Sequence, residues 1–263
     1  MEENTVRLTI FLSAFGVLAL AEILAPRRDL RLARSGRWFT NWGMSIANSI
    51  TAAVLRIVLG AAAVLAALDA HSIGTGLFNQ LGWVWWLEGL ITFIILDFAI
   101  WLQHLASHKI PFLWRIHRVH HADRDMDVTT AIRFHPIEIA LSMGFKIVLV
   151  YLLGAAVWIV IAFEIVLNAS AMFNHANFRL PDRLDKMLRL LVVTPDMHRV
   201  HHSVHRAEHD ANYGFNLAIW DRIFRTYVPQ PAAGHVNMTI GLNDHQTGEP
   251  AKLFWSLLLA FKR

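Results

Sequence analysis

The sequence predicts an all-α integral membrane protein, a helical bundle of about four membrane-embedded helical regions with a cytoplasmic helical cap. Charged residues are scarce: 17% of the 263 residues are charged and 55% are hydrophobic, whereas a soluble domain carries about 25% charged residues. The hydrophobic residues gather in four long apolar regions. Ten of the 15 histidines fall between residues 104 and 202, all outside those regions, which places them in the cap.

The first three apolar regions are predicted to be membrane helices, at residues 8–25, 44–68 and 82–102. A helix needs about 20 apolar residues to cross a hydrocarbon core about 30 Å thick. Region 8–25 follows the acidic pair Glu2-Glu3 rather than a basic start, so we expect a retained anchor and not a signal peptide. Region 82–102 opens with three tryptophans that are typical of an interfacial aromatic belt, namely Trp83, Trp85 and Trp86.

The fourth apolar region, residues 137–168, is predicted to be a membrane hairpin. A single crossing would place the later histidines on the opposite side of the membrane from the earlier ones. Two short arms that turn at Leu153-Gly154 keep both sets on one side. Lys146 lies in the first arm and is costly there unless it reaches the interface or faces protein.

Charged residues predict how the helices are oriented and paired. Five arginines between the first and second regions should stay cytoplasmic, and they are Arg27, Arg28, Arg31, Arg34 and Arg37. The segment after residue 102 is then cytoplasmic too. Within the membrane, Arg56 is expected to pair with either Glu88 or Asp97, because charges in membrane helices usually face the protein interior and pair.

The whole chain, residues 1–263, is predicted to be one domain, because no polar or Pro/Gly-rich linker divides it. Residues 1–36 form an anchor helix with a basic loop, and residues 229–263 form a tail. The end of that tail, from residue 252, is apolar on most sides and finishes in Lys262-Arg263. A short helix lying in the membrane interface is expected there.

Composition excludes several kinds of site. The chain has no cysteine, which excludes disulfides, thiolate metal sites, iron–sulfur clusters and cysteine nucleophiles. The net charge of +4 fits an anionic membrane surface. Nucleic acid is not an expected partner, because the basic residues are not organised around exposed aromatic residues.

Three histidine motifs predict a metal site. One pair has i, i+4 spacing and two triplets have i, i+3, i+4 spacing, so each motif lies on one helical face. The motifs are His104 and His108; His117, His120 and His121; and His198, His201 and His202. Eight imidazoles exceed the four ligands of a structural zinc ion, so two metal ions are predicted. Spacing alone leaves iron, copper, zinc and nickel open.

Two other functions remain as alternatives, a histidine-rich metal-binding or transport protein and a zinc-dependent hydrolase. Transport sites lie near the bilayer midplane, whereas these motifs lie at or beyond helix ends. A zinc hydrolase needs an open zinc ion and a general base rather than eight imidazoles. The lack of Glu-x-x-His pairs argues against the ferritin-like carboxylate class of di-iron proteins.

The motifs HLASH (104–108), HRVHH (117–121) and HRVHH (198–202) resemble the three histidine boxes of the fatty acid hydroxylase/sterol desaturase superfamily. The flanking sequences TTAIRFHPIE (129–138), TPDMHRVHHS (194–203) and DANYG (210–214) are also similar to that family. The resemblance covers residues 37–228. Leu105 departs from it, since arginine often follows the first histidine of the family.

The resemblance implies a membrane di-iron oxygenase that uses O2 and external electrons to hydroxylate or desaturate a C–H bond of a lipid, such as a sterol or fatty acyl chain. Two irons would be held by histidine. A separate ferredoxin, cytochrome or reductase would supply electrons, since no donor domain is fused, and this favours a multi-pass protein of a bacterial inner membrane. The implied ligands are the eight motif histidines together with His135 and His175, and the alternative for the last two is a hydrogen bond that supports a ligand. No catalytic residue beyond the metal ligands is expected.

Carboxylates are expected to orient the ligating histidines, because such histidines usually donate their second N–H to a carboxylate, carbonyl or water. Asp97 and Asp210 are the first candidates, since Asp97 shares a helical face with His104 and Asp210 follows the last motif. Further candidates are Asp123, Glu138, Glu208 and Asp221. The remaining histidines are expected at the surface, and they are His71, His205, His209, His235 and His245.

Overall fold

A computed structural model describes residues 2–60 and 62–262, and there it contains helices and isolated β-bridges but no strand. The α-helices are α1 Glu2–Leu24, α2 Arg34–Leu59, α3 Ala63–Ser72, α4 Leu77–Leu81, α5 Trp85–Lys109, α6 Pro111–His121, α7 Pro136–Leu153, α8 Val157–His175, α9 Asp182–Leu188, α10 Pro195–His201, α11 Arg206–His209, α12 Ile219–Ile223, α13 Gly234–Asn237 and α14 Leu253–Leu259. Short 3₁₀ helices lie at Val128–Ile132, Asn243–His245 and Glu249–Ala251.

Five segments of the described chain are long and apolar enough to cross a membrane. They are Asn4–Leu24, Arg34–Leu81, Trp85–Lys109, Pro136–Leu153 and Val157–His175. The all-α membrane fold is therefore confirmed. The four predicted regions correspond to these five segments, because the fourth region supplies two helices, as the predicted hairpin requires.

The hairpin in the fourth apolar region has the predicted turn. Helix α7 ends at Leu153, and Gly154 adopts a left-handed conformation with φ 63° before α8 begins. A Cβ atom on Gly154 would lie 2.7 Å from the backbone oxygen of Thr75, so only glycine fits this turn. Lys146 faces protein, and its Nζ lies 2.7 Å from Oε1 of Glu164 on the second arm.

The second apolar region differs from the expectation of one helix over 44–68. Helix α2 begins earlier, at Arg34, and ends at Leu59, because Gly60 takes the left-handed conformation and its N–H caps the carbonyl of Leu55. The expected pairing of Arg56 is also wrong. Arg56 is exposed, and no ion pair of Arg56 exists within residues 2–60 and 62–262.

The two carboxylates expected to pair with Arg56 have other partners. Oε1 of Glu88 accepts a hydrogen bond from the backbone N–H of Ala156 at 3.1 Å. Oδ2 of Asp97 accepts one from the indole of Trp220 at 2.7 Å.

The long helices α5 and α8 end close to each other, at the end of the bundle that carries the histidines. An apolar core joins α3, α5, α7 and α8 through Ala67, Leu96, Val150 and Phe163, all buried. The last turns of α5 and α8 carry His108 and His175. Pro111 begins α6 directly after α5 and turns the chain back over that end.

The C-terminal helix α14 packs on the protein along one side only. Leu259 and Ala260 contact Met44 and Val119 in a buried cluster. Its opposite side exposes Phe254, Leu258 and Phe261. Immersion of that side in the membrane interface remains a prediction.

Candidate metal centre

Nine buried histidines form two adjacent clusters. Cluster A contains His104, His108, His117, His121 and His201, and cluster B contains His120, His175, His198 and His202. Within each cluster, one ring nitrogen from every histidine lies within 4.8 Å of the others. The structure thus brings together all eight motif histidines and His175.

The two triplet motifs each supply both clusters. On α6, His117 and His121 face cluster A while His120 faces cluster B. On α10 and its C-cap, His201 faces cluster A while His198 and His202 face cluster B. Because consecutive helical positions differ by about 100°, one helix that passes between two ions can serve both of them. The sequence spacing suggested one stripe per motif and did not reveal this division.

Cluster A is held by hydrogen bonds to the Nδ1 atoms of its histidines. Nδ1 of His104 bonds to the carbonyl oxygen of Tyr213 and Nδ1 of His201 to that of Ala211, both at 2.7 Å. A carbonyl only accepts, so both Nδ1 atoms donate and both Nε2 atoms keep a lone pair. All five Nε2 atoms of cluster A are buried without a hydrogen-bond partner. Five buried ring nitrogens that converge without hydrogen-bond partners, two of them fixed as acceptors, fit a metal ion.

Cluster B has nitrogen contacts that a cation explains. Nε2 of His175 lies 3.1 Å from Nε2 of His120 and of His198, and 3.3 Å from that of His202. The Nδ1 atoms of His175 and His120 donate to the carbonyl oxygens of Ala171 and Arg133, so their Nε2 lone pairs face each other. Lone pairs at this distance repel, whereas ligands about 2.0–2.1 Å from one ion are separated by similar distances.

Burial keeps the histidines neutral and able to coordinate a metal. Burial and then the nearby His202 hold the pKa of His121 well below its usual value. Burial and then the nearby His104 do the same for the pKa of His201. Burial disfavours the imidazolium form, so these rings present lone pairs at neutral pH.

Two predicted site residues lie outside the clusters. His135 was expected as a ligand, but its Nδ1 accepts from the backbone N–H of Ile137 and its Nε2 lies 3.1 Å from the carbonyl oxygen of Leu257. Its ring therefore serves as a helix N-cap. Asp97 was expected to orient a ligand, but it binds the indole of Trp220 instead. Asp97 lies seven residues before His104 in α5, about 10 Å along the helix axis from that histidine.

The carboxylates beside cluster A are Glu138 and Asp210. Oε1 of Glu138 lies 2.7 Å from Nδ1 of His117, so Glu138 orients that ring directly. The sequence favours Asp210 over Glu138 as the orienting carboxylate, but Oδ1 of Asp210 lies farther from its histidine, 3.6 Å from Nδ1 of His108. Its Oδ2 lies 2.8 Å from Nζ of Lys109.

Three of the histidines expected at the surface are not fully exposed. His245 is half-buried, and its ring lies 5.0 Å from that of Trp255. His235 is buried, and its Nε2 lies 3.6 Å from Asp196. His209 is half-buried, and its ring stacks on Trp114 at 5.4 Å beside His108. The i+4 spacing of His209 from His205 suggested a solvated helical face. Spacing along the chain does not reveal the contacts that His209 makes with Trp114 and His108 on other helices.

Replacing Glu138 by glutamine should weaken metal binding in cluster A. The amide keeps the shape but loses the charge that holds the Nδ1–H of His117, and changes of this kind lower metal affinity or activity about 10–100-fold. We expect a chelator to remove the cluster A metal from this variant faster than from the unaltered protein. Asp210→Asn should have a smaller effect, and equal chelation rates for Glu138→Gln and the unaltered protein would contradict the assignment.

Comparison with known proteins gives a match over the part of the chain that builds both clusters. Residues 89–226 match the family model described as fatty acid hydroxylase. This range includes every residue of clusters A and B.

Three relatives illustrate the range of similar proteins. The ornithine lipid hydroxylase OlsE of Rhizobium tropici is 29% identical over 88% of this chain and 70% of its own length. An alkylglycerol monooxygenase of Xenopus tropicalis is 33% identical over 56% of the chain and 31% of its own length. The cholesterol 25-hydroxylase of Homo sapiens is 26% identical over 52% of the chain and 50% of its own length. No solved structure matches the chain significantly.

Proposed function

The chain belongs to the fatty acid hydroxylase family, and we propose on this basis that it is a membrane di-iron oxygenase that hydroxylates a C–H bond of a lipid. The observation that supports this most strongly is the pair of buried clusters, in each of which one ring nitrogen from every histidine lies within 4.8 Å of the others. Two irons, O2 as the oxidant and electrons from a separate ferredoxin, cytochrome or reductase complete the proposal. The three relatives described above are named as hydroxylases or monooxygenases, which favours hydroxylation over desaturation.

A cavity of about 350 Å³ between α5, α6 and α7 supports a lipid chain as the substrate. Leu113, Leu141 and Phe145 line it, together with Glu138, which also holds His117 of cluster A. The walls of the cavity are thus mostly apolar. One lining residue, Glu138, contacts the proposed metal ligand His117. An acyl, alkyl or sterol chain can enter it sideways from the bilayer, because Leu102 and Leu141 are exposed on the outer face of the bundle.

Iron bound in the two clusters supplies one-electron redox chemistry and activation of O2. The protein's own residues do the rest. Carbonyl oxygens of Tyr213, Ala211 and Arg133 fix the rings of three ligands. Burial of all nine cluster histidines keeps bulk water away from the site. The cavity positions one carbon of the substrate relative to cluster A.

The histidines are proposed to face the cytoplasm of a bacterial cell. The basic loop between α1 and α2 and the first turn of α2 lie at the same end as the clusters, since Nε of Arg27 in the loop lies 3.0 Å from Asp196 and Nε of Arg37 in α2 lies 2.6 Å from Asp123. Loops rich in arginine stay cytoplasmic. On this proposal, a soluble electron donor and the clusters are on the same side of the membrane.

The proposal is tested by isotope labelling. Purified iron-loaded protein in lipid nanodiscs receives a chemical reductant, ¹⁸O₂ and the lipid extract of its host, and products are analysed by mass spectrometry. We expect one ¹⁸O atom in a hydroxylated lipid and none with the His120→Ala/His201→Ala variant. Absence of labelled lipid from iron-loaded protein across acyl, alkyl and sterol lipids would overturn the proposal.

Filling the cavity should weaken use of the lipid without affecting the metals. Leu141→Trp places a larger ring in the cavity and should lower kcat/KM about tenfold or more, as expected when a pocket loses the fit of a few methylene groups. Leu152→Trp is the matched control, because Leu152 lies on the same helix, is exposed and does not line the cavity. Unchanged kcat/KM in Leu141→Trp would show that the lipid binds elsewhere.

A further inference from the structure

A large apolar surface lies outside the five candidate membrane spans. Its side chains are between 46% and 72% exposed, and they are Met187, Leu190, Leu191, Ile219, Ile223 and Phe224. The two chain segments are adjacent, because the backbone N–H of Ala218 donates to the carbonyl of Leu191 at 3.0 Å. Soluble surfaces seldom expose so many large apolar side chains together. We call this the α9–α12 surface.

Helix α12 is attached to the middle of α5. The indole of Trp220 donates to Oδ2 of Asp97 at 2.7 Å. The ring of Phe224 stacks on Phe98 at 5.7 Å and on Trp101 at 4.6 Å. Asp97 is the central residue of α5, which has 25 residues. It therefore lies about 18 Å from each end of that helix.

The position of α12 along α5 determines its depth in a bilayer. Helix α5 is about 37 Å long and the hydrocarbon core is about 30 Å thick. If the core falls within the helix, the centre of α5 lies within a few ångströms of the bilayer centre. Asp97 and Phe98 are then deep in the hydrocarbon, and Trp101 lies on the side of the histidines but still inside it. Phe224 contacts two of these residues, so α12 lies at the level of the acyl chains.

We propose that the α9–α12 surface is immersed in the acyl chains of the leaflet beneath the histidine clusters. The cap is then partly sunk into the membrane rather than resting above it. Backbone groups in hydrocarbon must be bonded within the protein, and here the carbonyl of Arg189 accepts from the side chain of Arg222 while the N–H of Val193 donates to Asn216. Three exposed cations border the surface, and the long stems of such side chains let their charges extend toward the headgroups; they are Arg183, Lys186 and Arg225.

Site-directed spin labelling tests this proposal directly, because the chain has no cysteine of its own. Leu191→Cys and Ile223→Cys are labelled with a nitroxide in the full chain, reconstituted in phosphatidylcholine/phosphatidylglycerol vesicles. Collision with O2 reports exposure to hydrocarbon, and collision with a water-soluble nickel chelate reports exposure to water. Val148→Cys is the lipid control, since Val148 is exposed on the candidate span α7. Ala207→Cys is the water control, since exposed α11 lies beside the end of α5.

Labels at residues 191 and 223 should collide more with O2 than with the nickel chelate, as the label at residue 148 should. The label at residue 207 should collide more with the nickel chelate. Collision mainly with the nickel chelate would overturn the proposal. Protection from both reagents would also overturn it, and would indicate that a second copy of the chain covers the surface. The metal content and lipid oxidation of the same samples are measured separately, so this result is independent of the proposed reaction.

Discussion

Replacing His198 by alanine should remove the metal from cluster B and abolish oxidation of the lipid. Cluster B has four histidines, so the variant keeps three. Cluster A has five, and His121→Ala therefore leaves four, which is the number that a complete tetrahedral site uses. We expect a full loss of one metal per chain in His198→Ala and a weaker, chelator-sensitive loss in His121→Ala. Metal analysis after gel filtration measures both.

The matched control is His71→Ala, because His71 is exposed and belongs to neither cluster. It should retain both metals and full activity. Helical content by circular dichroism distinguishes metal loss from unfolding. If His198→Ala retained both metals, the assignment of ligands to cluster B would be wrong.

Replacing Arg37 by glutamine should cause the largest loss of stability outside the clusters. The guanidinium of Arg37 is 1% exposed and contacts Asp123 and Asp127, each at 2.6 Å. Burial alone raises the pKa of Asp123, but the charge of Arg37 outweighs it and lowers that pKa to about 2. The variant leaves two buried carboxylates without their cation, a change that costs about 3–5 kcal/mol.

Thermal unfolding in detergent measures this effect, and Arg31→Gln is the control because the Arg31 side chain is exposed. Asp123 lies two residues after His121, so the Arg37→Gln protein should also lose metal on heating before it unfolds. A midpoint equal to that of the unaltered protein would show that the buried ion pair does not stabilise this end of the bundle.

The sequence predicted the parts of the fold that local patterns encode. Apolar length located the membrane helices, and glycine located the turn of the hairpin at Gly154. The break at Gly60 was missed, because apolar residues continue on both sides of it and only its left-handed backbone ends α2. The pairing of Lys146 with Glu164 was also missed, since it depends on how α7 and α8 pack.

The candidate site was predicted as a set of residues but not as an arrangement. Spacing identified the eight motif histidines, and the resemblance added His175. Spacing did not show that α6 and α10 each serve both clusters, because that requires the relative positions of the helices. The carbonyl oxygens of Tyr213 and Ala211, which orient the rings of His104 and His201, carry no sequence signal at all. His135 matched the family motif, but its ring nitrogens are already bonded.

The metal content of the intact protein tests the central claim most directly. The protein is purified in mild detergent after iron-supplemented growth, beside the His120→Ala/His201→Ala variant, which loses one ligand from each cluster. We expect one iron for each of the two clusters in the unaltered chain, and little iron in the variant. Stoichiometric zinc without iron, or metal that is unaffected by the two substitutions, would contradict the di-iron oxygenase.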